Sequence, residues 1–250
     1  MIDIHCHLCF PEFDKDREEV ISKAKREMSA VIVSSARFEE GKKVLNLIER
    51  HKGFLFATLG FHPTEGDNYK GVIKLIKENK DKIVGIGEVG LDYHWERDLK
   101  KREKQKEIFR KFINLAGELN LPLVIHSWDA EEDCFEMIKN KNVQAVFHCF
   151  SGSLELAKKI LERGFYISVS TQVCMSKHHK KLVKIIPLDK ILLETDAPFL
   201  SPIRGERNYP WNIKISAKKI ADIKKIGEEE ILEKAKDNAR KIFNLVLSNI

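Results

Sequence analysis

The chain opens on a short apolar strand that carries two histidines, since residues 1–7 read MIDIHCH. Four later apolar runs also close on a histidine or a carboxylate, and they are 83–88 (IVGIGE), 123–126 (LVIH), 145–148 (AVFH) and 192–196 (LLETD). Such a run is typical of a buried parallel strand that delivers a ligand to the rim of a barrel. Five of them in one chain predict that the strand ends meet at a metal site.

The number and spacing of the apolar runs predict the fold. A chain of 250 residues has the usual length of one (β/α)8 barrel. Strands are expected near residues 2–7, 30–34, 54–60, 83–88, 122–126, 143–148, 165–169 and 191–195. Residues 99–119 carry one apolar stripe of helical period, and the last helices are expected near 214–225 and 228–247. We therefore predict an α/β protein, a TIM barrel in a single domain over residues 1–250, with a doubly wound open sheet as the alternative.

Composition and charge exclude some classes of protein. Hydrophobic residues make up 43% of the chain, and no apolar run approaches the ~20 residues of a membrane-spanning helix, so no membrane partner is expected. The first strand begins at residue 2 and leaves no room for a signal peptide, which predicts a cytoplasmic location. The net charge of +6 mildly favours a polyanionic partner.

The cysteines do not form a disulfide framework or a redox pair in our interpretation. There are five, an odd and scattered number that indicates reduced thiols. Cys6 and Cys9 match the C-x-x-C pattern, but strand alternation turns Cys6 away from the face that His5 and His7 share. Both thiols are therefore predicted to be small buried side chains.

Histidines at strand ends are the first candidate ligands. His5 and His7 lie two apart on a strand, so both imidazoles project to the same side and suit one ion. His126 and His148 close two later strands and reach the same rim of the barrel. For any one of these histidines alone, a hydrogen-bonded core residue is the simpler interpretation. Their shared position at strand ends favours ligands.

Two carboxylates complete the set. Glu88 lies within residues 85–90 (GIGEVG), which match the dinucleotide pattern G-x-G-x-x-G, but an aromatic loop follows at 91–95 instead of a helix. We therefore reject a nucleotide site and expect the glycines to let the backbone bend, so that Glu88 points into the metal site. Asp196 ends the last apolar strand, where a carboxylate is costly to bury without a cation.

Four imidazoles and two carboxylates are more ligands than one ion takes, which predicts two divalent ions that share a carboxylate. Strands 1 and 8 are neighbours in a closed barrel, so His5, His7 and Asp196 are expected to form one site. The histidines of strands 5 and 6 form the other, and Glu88 spans both. Zinc, manganese, iron and, with water, magnesium all suit such ligands.

The predicted metal pair makes a bridging hydroxide near neutral pH, which indicates hydrolysis of a phosphoester or an amide. Asp196 is placed to take the proton of the attacking water as well as to hold its ion. Glu88 and Asp196 are thus the predicted catalytic residues.

Several side chains near the rim are candidates for substrate contact. The loop after strand 8 holds Arg204 and Arg207, which can fork onto phosphate oxygens. His62, after strand 3, is expected either to contact phosphate or to support a ligand. His94 lies in an aromatic loop that either stacks on a base or roofs the barrel, and Trp128 has the same two interpretations. We interpret three further histidines as solvated surface residues, and they are His51, His178 and His179.

The chain resembles the TatD family of metal-dependent hydrolases over essentially its whole length. The strings that carry the resemblance are DIHCH (3–7), GFHP (60–63), GEVGLD (87–92), HS (126–127), HCFSG (148–152), ETDAPF (194–199) and RGERN (204–208). The resemblance implies an amidohydrolase-like TIM barrel, two divalent cations and deoxyribonuclease activity, often 3′→5′ on single strands. It also implies the same six ligands. Trp128 stands where members often carry arginine, and His94 where an aromatic residue is common.

These observations together predict a two-metal phosphodiesterase that acts on single-stranded DNA or 3′ ends, with a bridging hydroxide attacking phosphorus. The first alternative is a carbonyl-directed hydrolase of an amide, lactone or aminoacyl ester on the same metal centre. The second is a nucleic-acid-binding protein with little catalytic activity. No protein partner is predicted.

Overall fold

The barrel is built from eight parallel strands, each followed by at least one helix. The computed structural model describes residues 1–247, and residues 248–250 of the predicted domain lie outside that range. The strands are β1 Ile2–Cys6, β2 Ala30–Ser35, β3 Leu55–Phe61, β4 Gly85–Gly90, β5 Leu123–His126, β6 Ala145–Phe147, β7 Tyr166–Val169 and β8 Ile191–Leu193. The α-helices are α1 Arg17–Glu27, α2 Phe38–Arg50, α3 Tyr69–Glu78, α4 Leu99–Leu119, α5 Glu131–Ile138, α6 Leu154–Glu162, α7 Lys177–Ile185, α8 Ile213–Lys224 and α9 Glu228–Phe243. Short 3₁₀ turns lie between some of these elements.

The strands pair in the order β1 to β8, and the first and last strands meet to close the ring. Two backbone hydrogen bonds cross this seam. The Asp196 N–H donates to the His5 carbonyl at 2.9 Å, and the His7 N–H donates to the Ala197 carbonyl at 2.7 Å. The predicted TIM barrel is confirmed, and the open sheet is the wrong alternative.

The helix boundaries follow from capping. The side chain of Asp98 accepts hydrogen bonds from the N–H groups of Lys100 and Lys101, so α4 begins at the predicted residue. Asn244 takes a left-handed conformation (φ 48°) and its N–H donates to the Arg240 carbonyl, which ends α9 earlier than predicted. No helix within residues 1–247 has both the length and the apolar character that a bilayer crossing needs.

An apolar layer inside the barrel supports the functional end. Ile32, Val124, Val146 and Leu192 belong to one buried cluster although they come from β2, β5, β6 and β8, so they meet in the interior. Strand side chains alternate between faces, so the residues two positions further on also point inward. Those residues are Ser34, His126, His148 and Glu194. The polar side chains at the barrel mouth therefore lie directly above the apolar layer.

One predicted surface residue is buried. His179 lies on the inner face of α7 with Leu182 and Val183, spaced three and four residues apart, and neither of its ring nitrogens has a hydrogen-bond partner within residues 1–247. The lysine-rich sequence around it suggested a solvated helix, but the helical period turns this one position inward. Burial lowers the pKa of His179 to about 4.

This burial makes stability depend on pH. The pKa of His179 is about 4 in the folded protein and near 6.5 in the unfolded chain. The contribution of His179 to the free energy of unfolding is therefore present above pH 6.5. It is lost as the pH falls toward 4, because the unfolded chain takes up the proton first. We expect His179→Leu to remove on the order of 3 kcal/mol of that acid sensitivity. The measurement is the free energy of unfolding across this pH range. A packing effect shifts every pH point equally, so parallel curves for the two proteins would contradict the prediction.

Gly60 lies where β3 passes closest to β4. A Cβ built on Gly60 would sit 2.2 Å from the Glu88 carbonyl oxygen, a distance that no backbone contact allows. The register between the two strands also shifts at this point, between Leu59 and Phe61. The glycine is therefore required for the backbone of Glu88 to sit where it does.

We expect Gly60→Ala to destabilise the protein by about 1–3 kcal/mol or more, because the methyl group forces β3 and β4 apart. Gly66 is the matched control, since it is exposed and a Cβ there meets no atom within 4 Å. Gly66→Ala should change stability by less than about 1 kcal/mol. Chemical denaturation measures both variants, and equal midpoints for the two would show that the strands tolerate the contact.

Candidate metal centre

All six predicted ligands lie at the carboxyl ends of the strands, around one rim. His5 lies in β1 and Glu88 in β4, His126 ends β5, and the other three follow the strands β1, β6 and β8 directly or within three residues. The strand pairing is irregular at two of these positions. The register shifts between Asp3 and Cys6 on β1 and between Ile86 and Val89 on β4. Such irregularities re-aim side chains, which brings His5 and Glu88 inward.

The donors of β1 and β8 form one tight group. The Nε2 atoms of His5 and His7 are 3.2 Å apart. Asp196 Oδ1 lies 3.6 Å from the first and 3.4 Å from the second. This is the group that the adjacency of strands 1 and 8 predicts.

Glu88 lies between this group and the histidines on the opposite side. Its Oε1 is 3.5 Å from His7 Nε2, while its Oε2 is 3.1 Å from His148 Nε2 and 3.6 Å from His126 Nδ1. The two oxygens of one carboxylate thus face different imidazoles. This position matches the one expected of a bridging ligand.

The second group is composed differently from the predicted one. The ring of His148 stacks on His5 at 4.1 Å, and these two residues and Glu88 have donor atoms within 4.8 Å of one another. His126 instead groups with Asp92 and His62, although it still faces Glu88. His126 and His148 are 5.6 Å apart by ring centroids. The roles of all six residues as ligands stay predictions.

The donor set fits a divalent cation on chemical grounds. Two Nε2 atoms and carboxylate oxygens converge in a buried site, and Glu88 is only 5% exposed. Burial raises the pKa of Glu88, but the surrounding histidines, His62 first, outweigh it and hold the pKa well below its usual value. An ionised carboxylate in a buried site is stabilised by positive charge, which a protonated imidazole or a bound cation supplies. Imidazole and carboxylate are the ligands that zinc, manganese and iron accept.

Protonation of the histidines is uneven across the site. Burial and the neighbouring His148 lower the pKa of His5 well below its usual value. Burial also opposes the charged form of His7, but a hydrogen bond to Asp196 and the charge of Glu88 raise its pKa to about 9. A cation that binds here takes the place of that proton, because a ligating imidazole must be neutral.

Three of the four candidate histidine ligands have a polar side chain facing their other ring nitrogen. Ser34 Oγ lies 3.0 Å from His5 Nδ1, and Asp92 Oδ2 lies 3.0 Å from His126 Nε2. Glu194 Oε1 is 3.7 Å from His148 Nδ1. Partners of this kind fix the tautomer and the orientation of a ligating ring.

Glu194 and Asp3 are buried acids whose roles the sequence analysis missed. Glu194 accepts hydrogen bonds from the Cys149 N–H at 2.6 Å and the Ser168 hydroxyl at 2.7 Å, which holds it against His148. Asp3 accepts from the Thr195 N–H at 3.0 Å and from the Thr195 hydroxyl at 2.5 Å, so it ties β1 to β8. The available signal was spacing, because each acid lies two residues before a candidate ligand in the sequence.

The predicted substrate residues are placed unevenly. His62 lies beside the centre, with its ring 4.2 Å from that of His126 and its Nδ1 2.7 Å from the Thr64 hydroxyl. His94 Nδ1 is 3.1 Å from Asp129 Oδ2. Arg204 is exposed and has no ion pair within residues 1–247. These three side chains remain candidates for contact with substrate.

Arg207 is engaged elsewhere. Its guanidinium forms a two-pronged ion pair with Asp16, at 3.1 and 2.5 Å, and donates to the Glu12 carbonyl. The rings of Phe13 and Tyr209 lie 4.4 and 4.8 Å from its central carbon. With its charge paired and its guanidinium against two aromatic rings, Arg207 anchors the β8 loop to the start of α1. The geometry therefore gives Arg207 a structural position, and its contact with phosphate stays a prediction.

Comparison with known proteins identifies the family. A family model described as TatD related DNase matches residues 2–244. An uncharacterized metal-dependent hydrolase of Methanocaldococcus jannaschii is 42% identical over 97% of this chain and 96% of its own. The human deoxyribonuclease TATDN3 is 36% identical over 97% of this chain and 94% of its own.

Solved structures agree in fold. The crystal structure of the TatD homologue YjjV from Escherichia coli superposes with a TM-score of 0.88 at 26% identity, over 98% of both chains. An uncharacterized amidohydrolase from Saccharomyces cerevisiae shares the fold, with a TM-score of 0.84 at 18% identity over 96% of this chain and 99% of that one. The chain belongs to the TatD family of metal-dependent hydrolases, and the amidohydrolase-like barrel is confirmed.

Metal content tests the position of Glu88. Because its two oxygens face separate imidazoles, we expect Glu88→Gln to weaken metal binding by about 100-fold or more. Glu107, exposed on α4, is the matched control, and Glu107→Gln should bind metal as the unaltered protein does. Elemental analysis after dialysis against zinc, manganese or magnesium gives the stoichiometry. Equal metal content in all three proteins would remove Glu88 from the centre.

Proposed function

We propose that this member of the TatD family is a two-metal phosphodiesterase that removes nucleotides from the 3′ ends of single-stranded DNA. The observation that carries the proposal is the position of Glu88, whose oxygens face His7 at 3.5 Å and His148 at 3.1 Å. One carboxylate between two donor groups is the arrangement that a pair of ions requires.

Each residue has a role in the proposed reaction that follows from its position. Divalent cations, when bound, lower the pKa of water and neutralise charge on phosphoryl oxygens. The four histidines and Glu88 hold the centre. Asp196 keeps one oxygen 3.4–3.6 Å from the β1 imidazoles while its side chain remains 18% exposed, so it can accept a proton from the attacking water. His62, beside His126, is placed to donate a hydrogen bond to phosphate.

DNA is the proposed substrate for three reasons. A relative that is 36% identical is named a deoxyribonuclease. The chain has a net charge of +6, which favours a polyanion. Arg204 is exposed in the loop after β8 and has no ion pair within the described residues 1–247, so it is free to bind a phosphate.

The carbonyl-directed alternative has weaker support. The amidohydrolase that shares the barrel is only 18% identical, a likeness that shows the fold alone.

A cytoplasmic location and a single domain over residues 1–250 stay predictions.

The proposal predicts shortening of 5′-labelled single-stranded DNA from its 3′ end by protein loaded with zinc, manganese or magnesium. Glu88→Gln should abolish this cleavage, because the shared ligand is lost, while Glu107→Gln should not alter it. A gel that resolves single nucleotides gives both rate and polarity. Cleavage that persists in Glu88→Gln, or hydrolysis of acyl esters with no cleavage of DNA, would overturn the proposal.

Arg204→Ala should raise the KM for single-stranded DNA by about tenfold, because one charge-assisted hydrogen bond to phosphate is lost. The slope of log KM against log salt should fall by about 0.7, the value for one phosphate contact on a single strand. Arg110, exposed on α4, is the control, and Arg110→Ala should match the unaltered protein. An unchanged salt slope in Arg204→Ala would place the phosphate contact elsewhere.

A further inference from the structure

Three aromatic side chains form an exposed surface beside the metal centre. The ring of Trp128 stacks on His94, with centroids 3.9 Å apart and planes within 9°. Trp95 stands edge-on to both, at 6.1 Å from Trp128 and 5.1 Å from His94. We call this group, His94, Trp95 and Trp128, the aromatic platform.

The platform exposes a large apolar area. Trp95 is 69% exposed and Trp128 is 42% exposed. By contrast Trp211, the third tryptophan of the chain, stacks on Tyr209 at 4.7 Å. Two adjacent exposed indoles are costly in water, and an apolar patch of this kind marks a binding surface.

Hydrogen bonds of the backbone hold the loops that carry the platform. The backbone N–H of Trp95 donates to Asp92 Oδ1 at 2.8 Å, and the backbone N–H of Tyr93 donates to the Trp128 carbonyl at 2.9 Å. The Arg102 guanidinium donates to the Tyr93 carbonyl at 3.0 Å. The loops after β4 and β5 are thus joined to each other before any ligand binds. A preformed surface loses little entropy on binding.

Asp92 connects the platform to the metal centre. One of its oxygens accepts from Trp95, and the other lies 3.0 Å from His126 Nε2. His126 in turn lies 3.6 Å from Glu88, and it precedes Trp128 by two residues. The stacking surface and the candidate ligands therefore share one buried carboxylate.

Free positive charge follows the platform along the chain. Arg97 and Lys100 are exposed at the start of α4, and neither has an ion pair within residues 1–247. Exposed aromatic rings and unpaired cations close to them in sequence complement a ligand with π faces along an anionic backbone.

We propose that the aromatic platform stacks on an unpaired nucleobase of the strand whose phosphodiester lies at the metal centre. This inference rests on the proposed function and adds to it the side chains that contact a base of the single strand. Bases in a duplex have their faces covered by neighbours, so only an unstacked base can lie on the indoles. Because every base has a π face, the contact accepts all four bases.

The test compares a phosphorothioate oligothymidylate with an abasic oligonucleotide of equal length, both bound by the metal-loaded protein without turnover. We expect the base-bearing strand to bind about 5- to 100-fold more tightly, with quenched tryptophan fluorescence. Trp128→Ala and Trp95→Ala should each reduce this ratio toward one. Trp128→Phe should retain most of it, because a phenyl ring still stacks, and Trp211→Phe should leave it unchanged.

Two results would overturn the inference. They are equal binding of the two strands by the unaltered protein, and an undiminished ratio in both alanine variants. Trp95 is mostly exposed, so Trp95→Ala keeps the test valid even if Trp128→Ala does not fold. Cleavage without base preference rejects only the stacking. Base preference without cleavage rejects the phosphodiesterase and leaves the stacking in place.

Discussion

Burial of ionised and lone-pair groups at the barrel mouth is the constraint on which the rest of the structure depends. Two carboxylates and four imidazoles rest on an apolar layer of interior side chains, where an uncompensated charge costs several kcal/mol. Hydrogen bonds alone do not meet this cost, because the Nε2 atoms of His5 and His7 face the same Asp196 oxygen at 3.6 and 3.4 Å, so several acceptors converge with few protons between them. The strand order and the backbone hydrogen bonds of the barrel hold these groups together, and a bound cation supplies the positive charge that compensates their burial.

A second row of polar side chains keeps that arrangement in register. Ser34, Asp92 and Glu194 each face a ring nitrogen that points away from the centre. The backbone is adapted to the same end, since Gly60 lets β3 pass close to Glu88 and the pairing of β1 and β4 is irregular at the site. Because several elements support each candidate ligand, all of them resist a small displacement of one side chain.

Much of the fold and the six candidate ligands could be predicted because both depend on local patterns. An apolar run that ends on His126 reveals a strand and its ligand together, whatever the rest of the chain does. Other features depend on partners far along the chain. Nothing near Arg207 in the sequence reveals that Asp16 holds it, and nothing near Asp92 reveals that it faces His126. His179 shows the same limit, because one buried position in a lysine-rich helix is visible only in the packing.

The hydrogen bonds from Thr195 to Asp3 join residues that are 192 positions apart. The group formed by His5, His7 and Asp196 therefore cannot exist until nearly the whole barrel sequence has left the ribosome. A nascent or truncated chain holds the two histidines of β1 without their carboxylate partner. Assembly of the centre thus requires both ends of the barrel sequence, so that a partly made protein has no complete hydrolytic site.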